Sequence, residues 1–282
     1  SFDTKKNSYF SIVKYSYLYK LLEKDLKKSK NIKTFLVTKK KLNNIIKNKK
    51  YDLIINSDFK NQISKKYFYK KYSKNYNSTA FTTIINHKIC KNKSACQIFT
   101  KFGPLAFLPI SAKKTSLVFS IYDTNFDMNF DKVVELIKFY NKKYNIKNFE
   151  KIEKFKLKFS VLRNYYYKNI ICLGDGLHQV HPLAGQGFNM TIRDIIKLNG
   201  IIDKKIELGL SIDKSIYREF EKSTKSYNSL FAFGIDITHE FFKFNNKFLS
   251  KKFSENLFSL INQNKKVKNL FIKFANQGNI YY

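Results

Sequence analysis

The chain has 282 residues, 43% of them hydrophobic and 17% aromatic. That is enough for a sizeable core, in one large domain or two small ones, and it excludes a disordered chain. Against 21 acidic residues stand 54 basic ones, a formal net charge of +33, which raises polyanion binding as a function, with nucleic acid the first partner to consider.

The make-up of that charge argues against a nucleic-acid site. Only Arg163, Arg193 and Arg218 are arginine, whereas specific phosphate and base readers favour the arginine fork. The lysines run along the whole chain, and Lys, Asn, Ile, Phe and Tyr are abundant together, as a coding bias towards A and T produces. Solvated lysine faces are the simpler reading. They would still draw the protein weakly and salt-dependently to anionic lipid surfaces. Cys90, Cys96 and Cys172 have no CxxC spacing and cannot all pair, which suggests a reducing compartment and no structural zinc. With no signal peptide and no apolar run of spanning length, the expected location is the cytoplasm, with peripheral association at the inner face of a membrane. The chain begins with Ser1 rather than Met, as a processed, trimmed or partial chain does.

In chain order, Tyr9–Val13 reads as a strand. A helix follows, with Leu18, Leu21, Leu22 and Leu26 on one stripe. Thr34–Thr38 reads as a second strand, Lys39–Lys50 as a basic connection, and Tyr51–Asp58 as a buried strand ending in an acid. Residues 80–85, 95–102, 105–110 and 116–122 are short strands with hairpin-length links, the pattern of a mainly antiparallel sheet. Pro104 and Pro109 there suit a strand start and an edge. Val133, Val134, Leu136, Ile137 and Tyr140 form a helical stripe after the cap candidates Asn129 and Asp131. Residues 155–167 lead into Ile170–Leu173, an apolar run of the kind buried on both faces.

Four of the 9 glycines then fall in one loop, as Gly174, Gly176, Gly185 and Gly187. Phe188, Ile192, Ile195 and Ile196 follow at helical spacing, and Gly200 is placed to end the helix. This is a strand, a glycine-rich loop and a helix. A helix N-terminus offers unpaired N–H groups and a partial positive charge to an anion, and ligands of open α/β sheets sit at strand carboxyl ends, where Asp175 stands. Beyond Gly200 the pattern is helical: Ile212, Ile216 and Phe220 open a long helix, Phe241–Leu249 marks a second, and Leu257–Phe271 suggests a last pair. His87 and His239 stand alone and read as structural. His178 and His181 are three apart, but no third metal ligand is evident and no metal site is expected.

The run G-D-G-L-H-Q-V-H-P-L-A-G-Q-G-F-N-M-T-I-R-D, residues 174–194, resembles the second flavin-binding motif of the FAD-dependent aromatic hydroxylases, most of all the branch that hydroxylates polyprenylated phenols in ubiquinone biosynthesis. Gly174, Asp175, His178, Pro182, Gly185, Gln186, Gly187 and Asn189 meet the family pattern. The resemblance implies that Asp175 binds the ribityl chain and that Gly185 to Asn189, with Phe188 among them and Pro182 beside them, lie along the flavin ring. Asp58 matches the acid of a D-G-x-x-S-x-x-R segment that touches the pyrophosphate and helps NAD(P)H use. Phe59, Gln62 and Lys65 replace its glycine, serine and arginine, a departure that weighs against those contacts. Gly103–Pro109 matches a strand of the substrate sheet. No acid or base is assigned.

The resemblance implies a mixed α/β (α+β) fold: a partial three-layer FAD-binding α/β domain interleaved with an antiparallel substrate sheet, and a helical C-terminal region. The expected division is residues 1–70 and 161–210 to the FAD-binding domain, 71–160 to the substrate sheet and 211–282 to the helices. The expected activity is an FAD-dependent monooxygenase in which NAD(P)H reduces the flavin and one oxygen atom of O2 goes to an aromatic, lipophilic phenol. Association with a biosynthetic complex is part of the same expectation. The family's first motif, G-x-G-x-x-G, is absent from these 282 residues, so the chain is expected to be a C-terminal part that binds FAD poorly by itself. Two rival readings are a lysine-rich non-catalytic protein that binds nucleic acid or anionic membrane, and an inactive truncated family member.

Overall fold

The computed structural model describes residues 12–38, 42–45, 51–122, 129–182 and 185–248. The expected helix pair at 257–271, most of the 9–13 strand and most of the 39–50 connection lie outside them. Two sheets organise the described residues. The smaller has three strands in the order β1 (Ile54–Asn56), β9 (Ile170–Cys172), β8 (Tyr166–Tyr167). Strands β1 and β9 run parallel and β8 is antiparallel to β9.

The larger sheet is antiparallel. Its order is β10 (His178–Gln179), β7 (Glu153–Leu162), β2 (Lys71–His87), β5 (Lys114–Tyr122), β4 (Gly103–Ser111), β3 (Cys96–Thr100), with β6 (Ile146–Phe149) also paired to β2. The four short strands expected between 80 and 122 are all present, and β2 begins nine residues earlier than the apolar pattern suggested, because its N-terminal half pairs with β7 through polar residues such as Ser73 and Asn75. Pro104 sits at a strand start as expected, but the expected edge is not found. Strand β4 lies between β5 and β3, so Pro104 and Pro109 sit in an interior strand. Pro104 is tolerated as the strand begins, and Pro109 where the ladder with β5 slips between Pro109 and Ser111.

Helix α3 (Phe130–Tyr140) starts at Asn129, whose side chain accepts a 3.0 Å bond from the Lys132 N–H. It lays Val133 and Ile137 on one face of the large sheet, against Phe81, Leu105, Leu117 and Phe119. The other face packs Tyr76, Phe159 and Val161 against Met190 of helix α4 (Gln186–Glu207) and Phe231 of helix α5 (Lys214–Phe248). A third cluster joins Ile170, Ile171 and Leu173 of the small sheet to Leu198, Ile201, Ile216 and Phe220 of the same two helices. Strand β10, drawn from the glycine-rich motif, completes the large sheet, so the two sheet regions interleave. Among the described residues no helix is long and apolar enough to cross a membrane.

Several local expectations are corrected. Residues 33–38 are irregular, with Leu36 97% exposed: among the described residues no strand pairs with them to take their backbone hydrogen bonds. Helix α1 (Tyr15–Lys28) forms where predicted, but buries none of its residues. Gly200 lies inside α4, which continues to Glu207 and ends at Gly209, whose φ of +64° and bond to the Ile206 carbonyl close the last turn. The two helices read after residue 210 are one 35-residue helix, α5, which passes through Gly234.

Candidate functional site

The candidate site is built where β9 ends. Burial of Ile170, Ile171 and Cys172 fixes the strand, and Leu173 donates from its N–H to the Asn56 carbonyl at 3.0 Å, continuing the pairing with β1. The chain then turns through Gly174, Asp175 and Gly176 as one 3₁₀ turn. Gly174 has φ +60°, and a Cβ on Gly176 would stand 3.0 Å from the Asn56 carbonyl oxygen, so both positions favour glycine for different reasons. Asp175 between them is exposed at the strand's carboxyl end. Burial raises the Cys172 thiol to about 12, so this strand cysteine is no nucleophile.

One strand over, β1 ends in Asn56, a buried hub. Its Nδ2 donates to Ser64 Oγ at 2.8 Å and its Oδ1 accepts from Asn61 Nδ2 at 2.6 Å. Asn61 caps the short helix α2 (Gln62–Tyr67) by accepting from the Ser64 N–H. Asp58 is exposed, and its Oδ1 accepts a 2.7 Å bond from the Lys60 N–H, so in this structure its carboxylate closes its own turn. The 56–58 and 174–176 turns are nonetheless neighbours at the ends of two parallel strands, the place where ligands of such sheets sit.

Helix α4 supplies the other wall. It packs on the 174–176 turn, with Thr191 methyl 3.5 Å from where a Gly174 Cβ would be. Its N-cap is Gly185 at φ +66°, no side chain caps it, and its first turn holds no acid. A Cβ at Gly185 would meet nothing within 4 Å. Beside it, Gln186 Oε1 is buried without a partner. An open, uncapped helix start with an orphaned amide oxygen and an exposed acid on the facing turn fits an anionic or polar cofactor. FAD, with its ribityl hydroxyls and a ring that becomes anionic on reduction, has that chemistry, and the residues present fit it.

The remaining residues of the motif separate. Pro182 is half-buried and Gly187 packs towards Val180, while Phe188 and Asn189 are exposed. His178 points away from the loop: its Nε2 lies 2.9 Å from Asp194 Oδ2, and both residues are buried. Asp194 Oδ1 accepts a further 2.9 Å bond from Asn228 Nδ2 on α5. The buried face of α4 is therefore Met190, Asp194, Leu198 and Ile201. The expected stripe is turned outward, with Phe188 58% and Ile196 65% exposed. The hydrogen bonds of Asp194 decide this rotation. A buried carboxylate without partners is costlier than an exposed isoleucine.

Sequence reasoning missed Asn56, Asp194, Asn228 and His239. The sequence shows Asp194 as the last residue of the 174–194 run, in helical register with Met190, Leu198 and Ile201, but not its buried bonds. His239 is not isolated: its ring centroid is 4.3 Å from that of His181. His87 is satisfied on both nitrogens, by the Lys88 carbonyl at 2.8 Å and Thr115 Oγ1 at 3.0 Å.

Residues 125–206 match the family described as "FAD binding domain". Over 110 residues the chain is 33% identical to the ubiquinone biosynthesis monooxygenase COQ6, mitochondrial, of Dictyostelium discoideum, which is 39% of this chain and 22% of that protein. The Caenorhabditis elegans protein of the same name is 23% identical over 213 residues, 60% of this chain and 47% of that one. The chain thus spans less than half the length of either relative. The fold is also that of Klebsiella pneumoniae HpxO complexed with FAD and uric acid, with TM-score 0.59, 10% identity, and 79% of this chain and 59% of that one covered. OxyS anhydrotetracycline hydroxylase from Streptomyces rimosus matches with TM-score 0.55 at 10% identity, over 76% and 43% of the two chains. The matched residues include the 174–194 run, and the described residues share the fold of these two solved structures.

Proposed function

We propose that the complete protein is an FAD-dependent monooxygenase that hydroxylates the aromatic ring of a polyprenylated phenol in ubiquinone biosynthesis, with NAD(P)H and O2 as co-substrates. The observation that carries the reading is the uncapped N-terminus of α4, opened by Gly185, standing over the turn that presents Asp175. Bound FAD supplies the oxygen-activating redox chemistry, and the protein's part is to bind, orient and polarise it.

Asp175 accepts from the ribityl hydroxyls. Gly176 lets the turn lie close against β1, and Gly174 supplies its positive φ. The N–H groups at Gly185 to Asn189 face the ring and stabilise negative charge developing on it, with Pro182 and Phe188 alongside and Gln186 offering its orphaned Oε1. His178 acts from behind, holding the loop to α4 through Asp194. Asp58 marks the pyrophosphate side. The Phe59, Gln62 and Lys65 replacements beside it bear on how tightly NAD(P)H is used. The phenol substrate is supported by the names of the relatives. Lysine-rich surface supports peripheral attachment to an anionic membrane face, weakened by salt.

The test is to purify the complete protein, with any upstream segment included. Flavin absorbance and FAD binding are expected, and Asp175→Ala is expected to weaken FAD retention. Salt-sensitive polyanion binding without flavin would replace this reading with that of a lysine-rich binding protein.

A further inference from the structure

His181 is 1% exposed, and neither of its ring nitrogens has a hydrogen-bond partner. Buried polar atoms without partners are uncommon, and each calls for a physical reason. His181 belongs to a triangle of rings. Its centroid lies 4.3 Å from that of His239 and 5.2 Å from that of Tyr76, and Tyr76 meets His239 at 4.6 Å. The three rings come from three parts of the fold: the motif loop, helix α5 and strand β2. Charged groups close the outer side. His239 Nδ1 is 3.3 Å from Glu240 Oε1, and Lys74 on β2 pairs with Glu240 at 3.1 Å and Asp236 at 3.4 Å.

We propose that His181 and His239 are positioning residues, a joint of tilted, packed rings through which α5 and the large sheet fix residues 177–182 in their cofactor-holding shape. This rests on the flavin reading of that loop. The His178–Asp194 bond ties the start of this stretch, and Val180 to Pro182 are held by the joint. Desolvation, then the neighbouring His239, keep the His181 imidazole neutral, so the joint brings no positive charge into the core.

The experiment compares wild type, His239→Ala and His239→Phe in the complete FAD-loaded protein. It reads amide hydrogen exchange by peptide, the visible flavin spectrum and FAD retention. His239→Ala is expected to speed exchange at least tenfold in residues 177–182, to shift the flavin spectrum and to lower FAD retention. Exchange in residues 194–198 should stay as in wild type. His239→Phe, which keeps an aromatic ring in the joint, should recover most of the protection of residues 177–182. Unchanged loop exchange in His239→Ala overturns the joint, and so does acceleration spread equally over residues 194–198. Asp175→Ala run beside them separates the two claims. A loosened loop in His239→Ala with full FAD retention in Asp175→Ala keeps the joint and removes the flavin assignment, whereas lost FAD in Asp175→Ala with an unaffected loop in His239→Ala does the reverse.

Discussion

His178 Nε2 stands 2.9 Å from Asp194 Oδ2, and the other oxygen of that carboxylate takes a 2.9 Å bond from Asn228 Nδ2. One buried carboxylate thus ties the motif loop, α4 and α5 together. Asp194→Ala would leave His178 and Asn228 buried with donors unmet. A loss of roughly 3 kcal/mol is expected, given about 1–3 kcal/mol for each buried polar group left unsatisfied. Urea unfolding measures it, and a change within about 0.5 kcal/mol of wild type would mean that the three groups find other partners.

The glycines separate into three kinds. A Cβ at Gly103 would stand 1.9 Å from the Ser120 carbonyl oxygen at φ +133°, so Gly103→Ala should cost several kcal/mol, on the order of 4, or prevent folding. At Gly185 a Cβ meets open space but φ is +66°, so Gly185→Ala should cost about 1 kcal/mol in stability and more in FAD retention. Gly200 lies in the interior of α4 with nothing near its Cβ position, so Gly200→Ala should stabilise by about 0.5–1 kcal/mol. Thermal or urea midpoints of the three variants rank them, and a destabilising Gly200→Ala would contradict the helix that runs through it.

Desolvation first, and the nearby His239 second, lower the His181 pKa from 6.5 to about 3. The unfolded chain therefore binds a proton between those values that the folded chain refuses. The contribution is complete above about pH 6.5 and declines as pH falls towards 3, by at most about 1.4 kcal/mol per pH unit. Tyr76, His239, Lys74, Asp236 and Glu240 surround the site and are common to both proteins. The comparison is therefore wild type against His181→Phe from pH 7 to pH 4. Wild type should lose stability more steeply, and parallel curves would remove His181 as the titrating group.

The thiols should react in the order of their exposure. Cys96 is exposed and Cys90 half-buried, whereas Cys172 is buried with its thiol raised to about 12. An alkylating reagent at pH 8 should label Cys96 first and Cys172 only on unfolding. Rapid native labelling of Cys172 would mean that β9 is open in solution.

Much of the fold was legible because it is written in local pattern. The antiparallel strands between residues 80 and 122, the Asn129 cap of α3 and the strand–loop–helix around Gly174–Asn189 each rest on neighbours in sequence: alternation, a capping side chain, glycines where φ is positive. The sequence by itself also determined the flavin motif, since it is one continuous run. What only the tertiary structure decided depends on partners far along the chain. Periodicity marked Phe188, Ile192, Ile195 and Ile196 as the inner face of α4, yet the helix is turned so that Asp194 meets His178 and Asn228, because a buried carboxylate must keep its hydrogen bonds. The same holds for Asn56 under the 174–176 turn, for Pro104 and Pro109 inside the sheet, and for His239, paired across 58 residues with His181. Each of these was settled by which groups folding brings within contact distance, and no local spacing encodes that.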